Sequence, residues 1–165
     1  MDKTKIKSVL KKVFFGLLIV FVIIQFFHPP KNTNATISAH DMTVQYPIPD
    51  SVHQILKKAC YDCHSNNTRY PWYNNIQPVA WWLDDHVTEG KKELNFSEFG
   101  SRTPAKQAKK LKKLAKEVQE GGMPLASYTW MHKDAILTDA EKNMLIDWAT
   151  NLSQQITAKL PPDSK

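Results

Sequence analysis

Asp50-Ser51-Val52-His53-Gln54-Ile55-Leu56-Lys57-Lys58-Ala59-Cys60-Tyr61-Asp62-Cys63-His64 carries two patterns in one stretch. Val52, Ile55, Leu56 and Ala59 fall at i, i+3, i+4 and i+7, the apolar face of a helix that Asp50 or Ser51 can cap. That helix leads directly into a C-x-x-C-H pentapeptide, Cys60 to His64. Two thiols at this spacing can add to the two vinyl groups of one porphyrin, with the next imidazole held beneath the iron. Cys60 and Cys63 are the only cysteines of the 165-residue chain, so none is left for another role. The reading is haem c, covalent and one per chain, attached through Cys60, Cys63 and His64.

Competing chemistries fit less well. A redox C-x-x-C pair usually accompanies a βαβ pattern, and strand signals are scarce here. Structural zinc wants four tetrahedral N/S ligands, whereas Cys60, Cys63 and His64 supply three from one crowded segment. A Cys60–Cys63 disulfide would close too small a loop to constrain the unfolded chain much.

Working outward, every periodic segment is helical. Pro78 to Val87 repeats an apolar face with Val79, Trp82, Leu83, His86 and Val87. A third helix has Thr103 as N-cap and Pro104 at its first position, buries Ala108, Leu111, Leu114, Ala115 and Val118, and stops at Gly121-Gly122. A fourth opens on the capping box Thr138-x-x-Glu141 and buries Met144, Leu145, Trp148, Ala149 and Leu152. The expected class is all-α, a cytochrome c-like helical domain around one covalent haem.

Five lysines (Lys3, Lys5, Lys7, Lys11, Lys12) precede the uncharged run Val13 to Phe27, which ends at His28-Pro29-Pro30. This predicts an uncleaved N-terminal signal anchor, a transmembrane helix with positive-inside flanks, although the run is short for a span of about 20 residues. The first twelve residues hold +4 of the net charge of +6, leaving +2 downstream, so the basicity points to no nucleic-acid partner. The expected organisation is an anchor over 1–28, a flexible tether over 29–49, a haem-binding domain over 50–160 and a tail over 161–165.

For the sixth iron ligand the first candidate is Met123, on a loop between the Gly121-Gly122 stop and Pro124. His86 is the alternative, on an apolar helix face; Met131 reads as core. Aromatic residues crowd the segment from Tyr70 to Trp82, and Trp72 and Trp82 could wall a macrocycle while Arg69 neutralises a propionate.

The motifs Cys60 to Tyr73, Pro78-Val79-x-Trp81-Trp82-Leu83-x-x-His86-Val87-x-Glu89-Gly90-Lys91, Leu94-Asn95-Phe96-Ser97-Glu98-Phe99 and Met123-Pro124-Leu125-x-Ser127-Tyr128 occur in this order. Together they resemble the small c-type haem-binding domain family common in Bacteroidota, over nearly all of Val52 to Leu152. The resemblance implies a monohaem c-type domain in the bacterial periplasm, attached through Cys60, Cys63 and His64, with His86 at a position of the family pattern. The expectation is a periplasmic cytochrome anchored in the inner membrane, passing single electrons to a redox partner protein rather than acting as an enzyme. A haem sensor or small peroxidase with an open sixth site is the alternative, and an anchored thiol-disulfide oxidoreductase using Cys60 and Cys63 is another.

Overall fold

The computed structural model describes residues 3–161, so the tail expected over 161–165 lies outside it beyond Pro161. Among the described residues every regular element is helical, and the single β-type pairing is an isolated bridge between Thr33 and Asn67. The helices are α1 (Lys3–Ile24), α2 (Met42–Gln45), α3 (Asp50–Ala59), α4 (Tyr61–His64), α5 (Val79–Glu93), α6 (Pro104–Gln119), α7 (Ala126–Met131) and α8 (Asp139–Ala158). The chain divides into two units: residues up to Lys31 with Tyr70–His86, and Asn32–Arg69 with Val87 onward.

The larger unit is built on α6 and α8. Leu111, Leu114, Ala115 and Val118 of α6 share a buried core with Leu145, Ala149, Leu152 and Ile156 of α8, the two stripes their i, i+3, i+4 spacing predicts. Inside it the Ser153 hydroxyl donates to the Ala108 carbonyl at 2.9 Å, so no polar group is left unpaired there. The capping box forms as read: Thr138 Oγ1 accepts from the Glu141 N–H while Glu141 accepts from the Thr138 N–H. Glu141 also pairs with Lys58 of α3 at 2.6 Å, fixing α3 to the start of α8. Phe96 and Phe99, on a 3₁₀ turn over Phe96–Ser101, fill the rest of the core with Val52, Ile55, Leu56 and Met42.

Three expectations need revision. Residues 29–49, read as a flexible tether, are held in place from Asn32 onward. Asn32 Nδ2 donates to the Ser65 carbonyl and to Thr68 Oγ1, both at 2.9 Å, and Met42 is wholly buried. The polar residues that suggested flexibility are the ones that bond to the loop after His64.

The second concerns α5, which runs six residues beyond Val87 and buries Ala80 and Val87, while Trp82 is 46 % exposed. Its inner stripe is thus turned away from the expected Val79–Trp82–His86 face, because the small Ala80 rather than a ring takes the interior position. Met144 and Met131 are likewise exposed rather than core residues.

The third is the transmembrane anchor. No helix among the described residues is long and apolar enough to cross a membrane. Lys11 and Lys12 lie inside α1, so its uncharged part is Val13–Ile24. That is about 18 Å at 1.5 Å per residue, against a hydrocarbon core of about 30 Å.

The smaller unit contains α1, none of whose residues is buried, and the first half of α5. The Gln77 N–H donates to Gln25 Oε1 at 2.9 Å, and Gln77 Nε2 and Trp81 Nε1 both donate to the Phe27 carbonyl, at 2.6 and 2.9 Å. These bonds satisfy backbone groups left over where α1 ends.

Candidate functional site

The pentapeptide is coiled by its neighbours into a single turn. Cys60 closes α3, its N–H donating to the Leu56 carbonyl at 2.9 Å, and its own carbonyl accepts from the His64 N–H at 2.9 Å to form α4. The His64 ring is fixed from outside this turn. Its Nδ1 lies 2.8 Å from the carbonyl oxygens of both Gly90 and Leu94 at the C-terminal end of α5. Carbonyl oxygens only accept, so Nδ1 carries the proton and Nε2 keeps its lone pair free to bind a metal. Burial lowers the pKa of His64, against the opposing pull of the two carbonyls, and favours the neutral ring.

Gly90 permits this geometry. A Cβ there would sit 2.6 Å from the Cys63 carbonyl oxygen and 3.1 Å from the Cys63 Cβ, closer than backbone atoms allow. The absent side chain lets α5 approach the turn until its last carbonyls reach the imidazole. Phe96 stands edge-on to the His64 ring with centroids 6.5 Å apart, limiting its rotation further.

His64, Cys60 and Met123 line one cavity that is open to solvent. Leu94, Phe96, Leu114 and Val118 make its walls apolar. Charged residues stand among the lining: Lys110 and Lys113 pair with Glu93 at 3.2 and 2.8 Å and hold its carboxyl down at a pKa of about 2. Met123 is placed by the end of α6, where Gly121 takes the left-handed φ of 75° and the N–H groups of Gly122 and Met123 both donate to the Glu117 carbonyl. Of the four residues expected to hold the haem, Cys60, His64 and Met123 are brought to one cavity from the end of α3, α4 and the loop after α6, whereas Cys63 is not among its lining.

Neither thiol suits redox exchange. Both cysteines are free; burial pushes Cys60 up to about 12 and Cys63 up to about 11, so both are protonated at neutral pH, the reverse of an activated dithiol. Among the described residues no group of three or more His, Cys, Asp or Glu side chains is placed to hold a metal ion.

Other expected residues serve elsewhere. Arg69 donates from Nε to the buried Asp62 carboxylate at 3.2 Å, and Tyr128 donates its hydroxyl to the same carboxylate at 2.7 Å. Asp62, inside the pentapeptide, is therefore tied to α7. Trp72, Trp82 and His86 belong to the smaller unit. There Trp72 is exposed, and the His86 ring rests 4.3 Å from Trp82 with Nδ1 2.8 Å from the Trp82 carbonyl. The sequence reading missed the Gly90 and Leu94 carbonyls and Phe96. The one available signal was a glycine inside a helical segment, which marks close backbone approach.

Residues 19–151 match the family of haem-binding domains. The chain belongs to that family. No characterised protein and no solved structure matches it beyond this. The cavity fits the group the family binds: apolar walls for a flat macrocycle, and an imidazole whose only unused ring nitrogen is the one that ligates.

Proposed function

We propose that this haem-binding domain is a monohaem c-type cytochrome, cytochrome c-like in its helical setting, that passes single electrons to a redox partner protein. The His64 ring carries the proposal, because an imidazole with Nδ1 spent on two carbonyls and Nε2 left over is oriented as an axial ligand. Cys60 and Cys63 would hold the porphyrin covalently, and His64 and Met123 would supply the ligands to its iron. When bound, the haem iron supplies the ferric–ferrous couple. The chain's own residues would orient it: the Gly90 and Leu94 carbonyls fix the imidazole, and Leu94, Phe96, Leu114 and Val118 supply an apolar wall.

We also place the domain in the bacterial periplasm and at the inner membrane. Two arguments support this: c-type haem is attached after export, and the second half of α1, Val13–Ile24, is an unburied apolar stretch that follows the five lysines of its first half.

Protein matured in a host with c-type assembly machinery should keep its haem on a denaturing gel, and Cys60→Ala with Cys63→Ala should lose it. A wild-type chain without covalent haem would overturn the proposal. For the sixth ligand, Met123→Ala should abolish the sulfur-to-iron charge-transfer band of the ferric protein. A high-spin wild type that binds carbon monoxide readily would instead identify a sensor or peroxidase, and a spectrum altered only by His86→Ala would make His86 the ligand.

A further inference from the structure

Three faces of α6 meet different surroundings. Ala108, Leu111 and Ala115 are buried in the core, while Leu114 and Val118 line the cavity together with Lys110, Lys113 and Glu117. The remaining face is exposed and carries Lys106, Lys109, Lys112, Lys113 and Lys116. Lys113 belongs both to the lining of the cavity and to this outer stripe, so the two surfaces are continuous. Charge is concentrated here. α6 carries +5, six lysines against Glu117, whereas residues 13–165 together carry +2, so everything outside α6 in that range sums to −3. Lysines three and four positions apart on a helix repel, and surfaces that serve stability alone intersperse the two signs. Glu93 offsets Lys110 and Lys113, and Glu120 stands 3.8 Å from Lys116, but Lys106, Lys109 and Lys112 make no ion pair among the described residues.

All six cations of α6 are lysines. An ammonium is a strongly hydrated point charge without the planar fork that holds a phosphate or carboxylate bidentately, so this face steers and orients a partner more than it grips one. Loose, salt-sensitive contact suits a carrier that must release its partner after one electron. Position adds to the argument, because electron tunnelling weakens steeply with distance and a partner seated on this stripe lies against the helix that walls the cavity. We propose that the exposed lysine face of α6 is the docking surface for the electron-exchanging partner, a protein that presents clustered Asp and Glu side chains. The inference rests on the electron-carrier reading above and names the partner's chemistry. One electron crosses in each encounter, with no bond made or broken and no proton transferred; the haem iron and the partner's one-electron centre change oxidation state by one in opposite senses.

The test uses ferric holoprotein and, as the probe, flavodoxin in its anionic hydroquinone form, an acidic protein that gives up one electron to leave the neutral semiquinone. Stopped-flow absorbance reads the second-order rate of haem reduction against ionic strength. The wild type should react fastest at low salt and slow steeply as salt is added. Lys106→Glu, Lys109→Glu and Lys112→Glu together should lower the low-salt rate by about tenfold or more and remove that salt dependence. Lys133→Glu, Lys142→Glu and Lys159→Glu together change the net charge equally and should keep most of the rate. An unchanged rate in the α6 variant, or equal losses in the two triple variants, would overturn the face. A wild-type rate insensitive to salt would also overturn it, without relying on any variant, and would leave the carrier reading standing. A ferric holoprotein that takes no electron from the probe would overturn both. Binding of the wild type to phosphatidylglycerol vesicles that the α6 variant abolishes, with the flavodoxin rate unchanged, would assign the face to a lipid surface instead.

Discussion

At the scale of single residues, Gly90 and the His64 ring are one device seen from two sides. Gly90→Ala should cost about 1–3 kcal/mol, because the clash is with the backbone of Cys63, which cannot rotate away. Gly122→Ala is the control, since the one close contact of its Cβ would be the end of the flexible Glu117 side chain, the Glu117 carbonyl lying at an ordinary 3.6 Å. Urea unfolding of the two variants checks this, and equal effects would dissociate the glycine from the site. Tyr128→Phe should cost about 1–3 kcal/mol, since it removes a donor from the buried Asp62 carboxylate. The pentapeptide was legible in the sequence because its chemistry lies in residue identity and spacing. The partners of His64 were not, because a backbone carbonyl has no side-chain letter and only the fold decides which carbonyl arrives.

At the scale of elements, the amphipathic helices α3, α6 and α8 were legible because one buried stripe faces one core, so periodicity and packing agree. The face of α5 was misread for the opposite reason: its rings are large and exposed while a small alanine holds the interior place. The junction of α3 with α8 runs through Glu141, which is both half of the capping box and the partner of Lys58. Thr138→Ala should destabilise by about 1 kcal/mol through the lost cap. Lys58 and the Thr138 N–H hold the Glu141 carboxyl below its ordinary value of 4.5. A depressed folded-state pKa stabilises the fold above the ordinary value, and that contribution is lost as pH falls through the folded one. The gap in denaturation midpoint between wild type and Glu141→Gln should therefore be widest near neutrality and shrink below pH 4.5; a gap that grows in acid would refute the assignment.

At the scale of the whole molecule, the cavity and the covalent haem proposed for it make a joint prediction. A group that binds only the folded chain stabilises it, so the Cys60→Ala, Cys63→Ala apoprotein should melt at a lower temperature than the holoprotein. Identical melting temperatures would mean that haem does not occupy this cavity. The all-helical class followed from periodicity, and the haem family from the resemblance carried by the pentapeptide and the motifs that follow it in order. The division into two units did not, because what gathers residues 70–86 with α1 is a set of bonds from Gln25, Phe27 and His28 to positions about fifty residues away.

The ties of the pentapeptide also reach far along the chain: 26 and 30 positions from His64 to Gly90 and Leu94, and 66 from Asp62 to Tyr128. The motif is therefore not a portable cassette. Spliced into another helix turn, these five residues would bring the thiols and the imidazole but leave the Nδ1 proton without acceptors and the Asp62 carboxylate without its donors. A designer transplanting this site would have to carry the last turn of α5 and the tyrosine of α7 along with it.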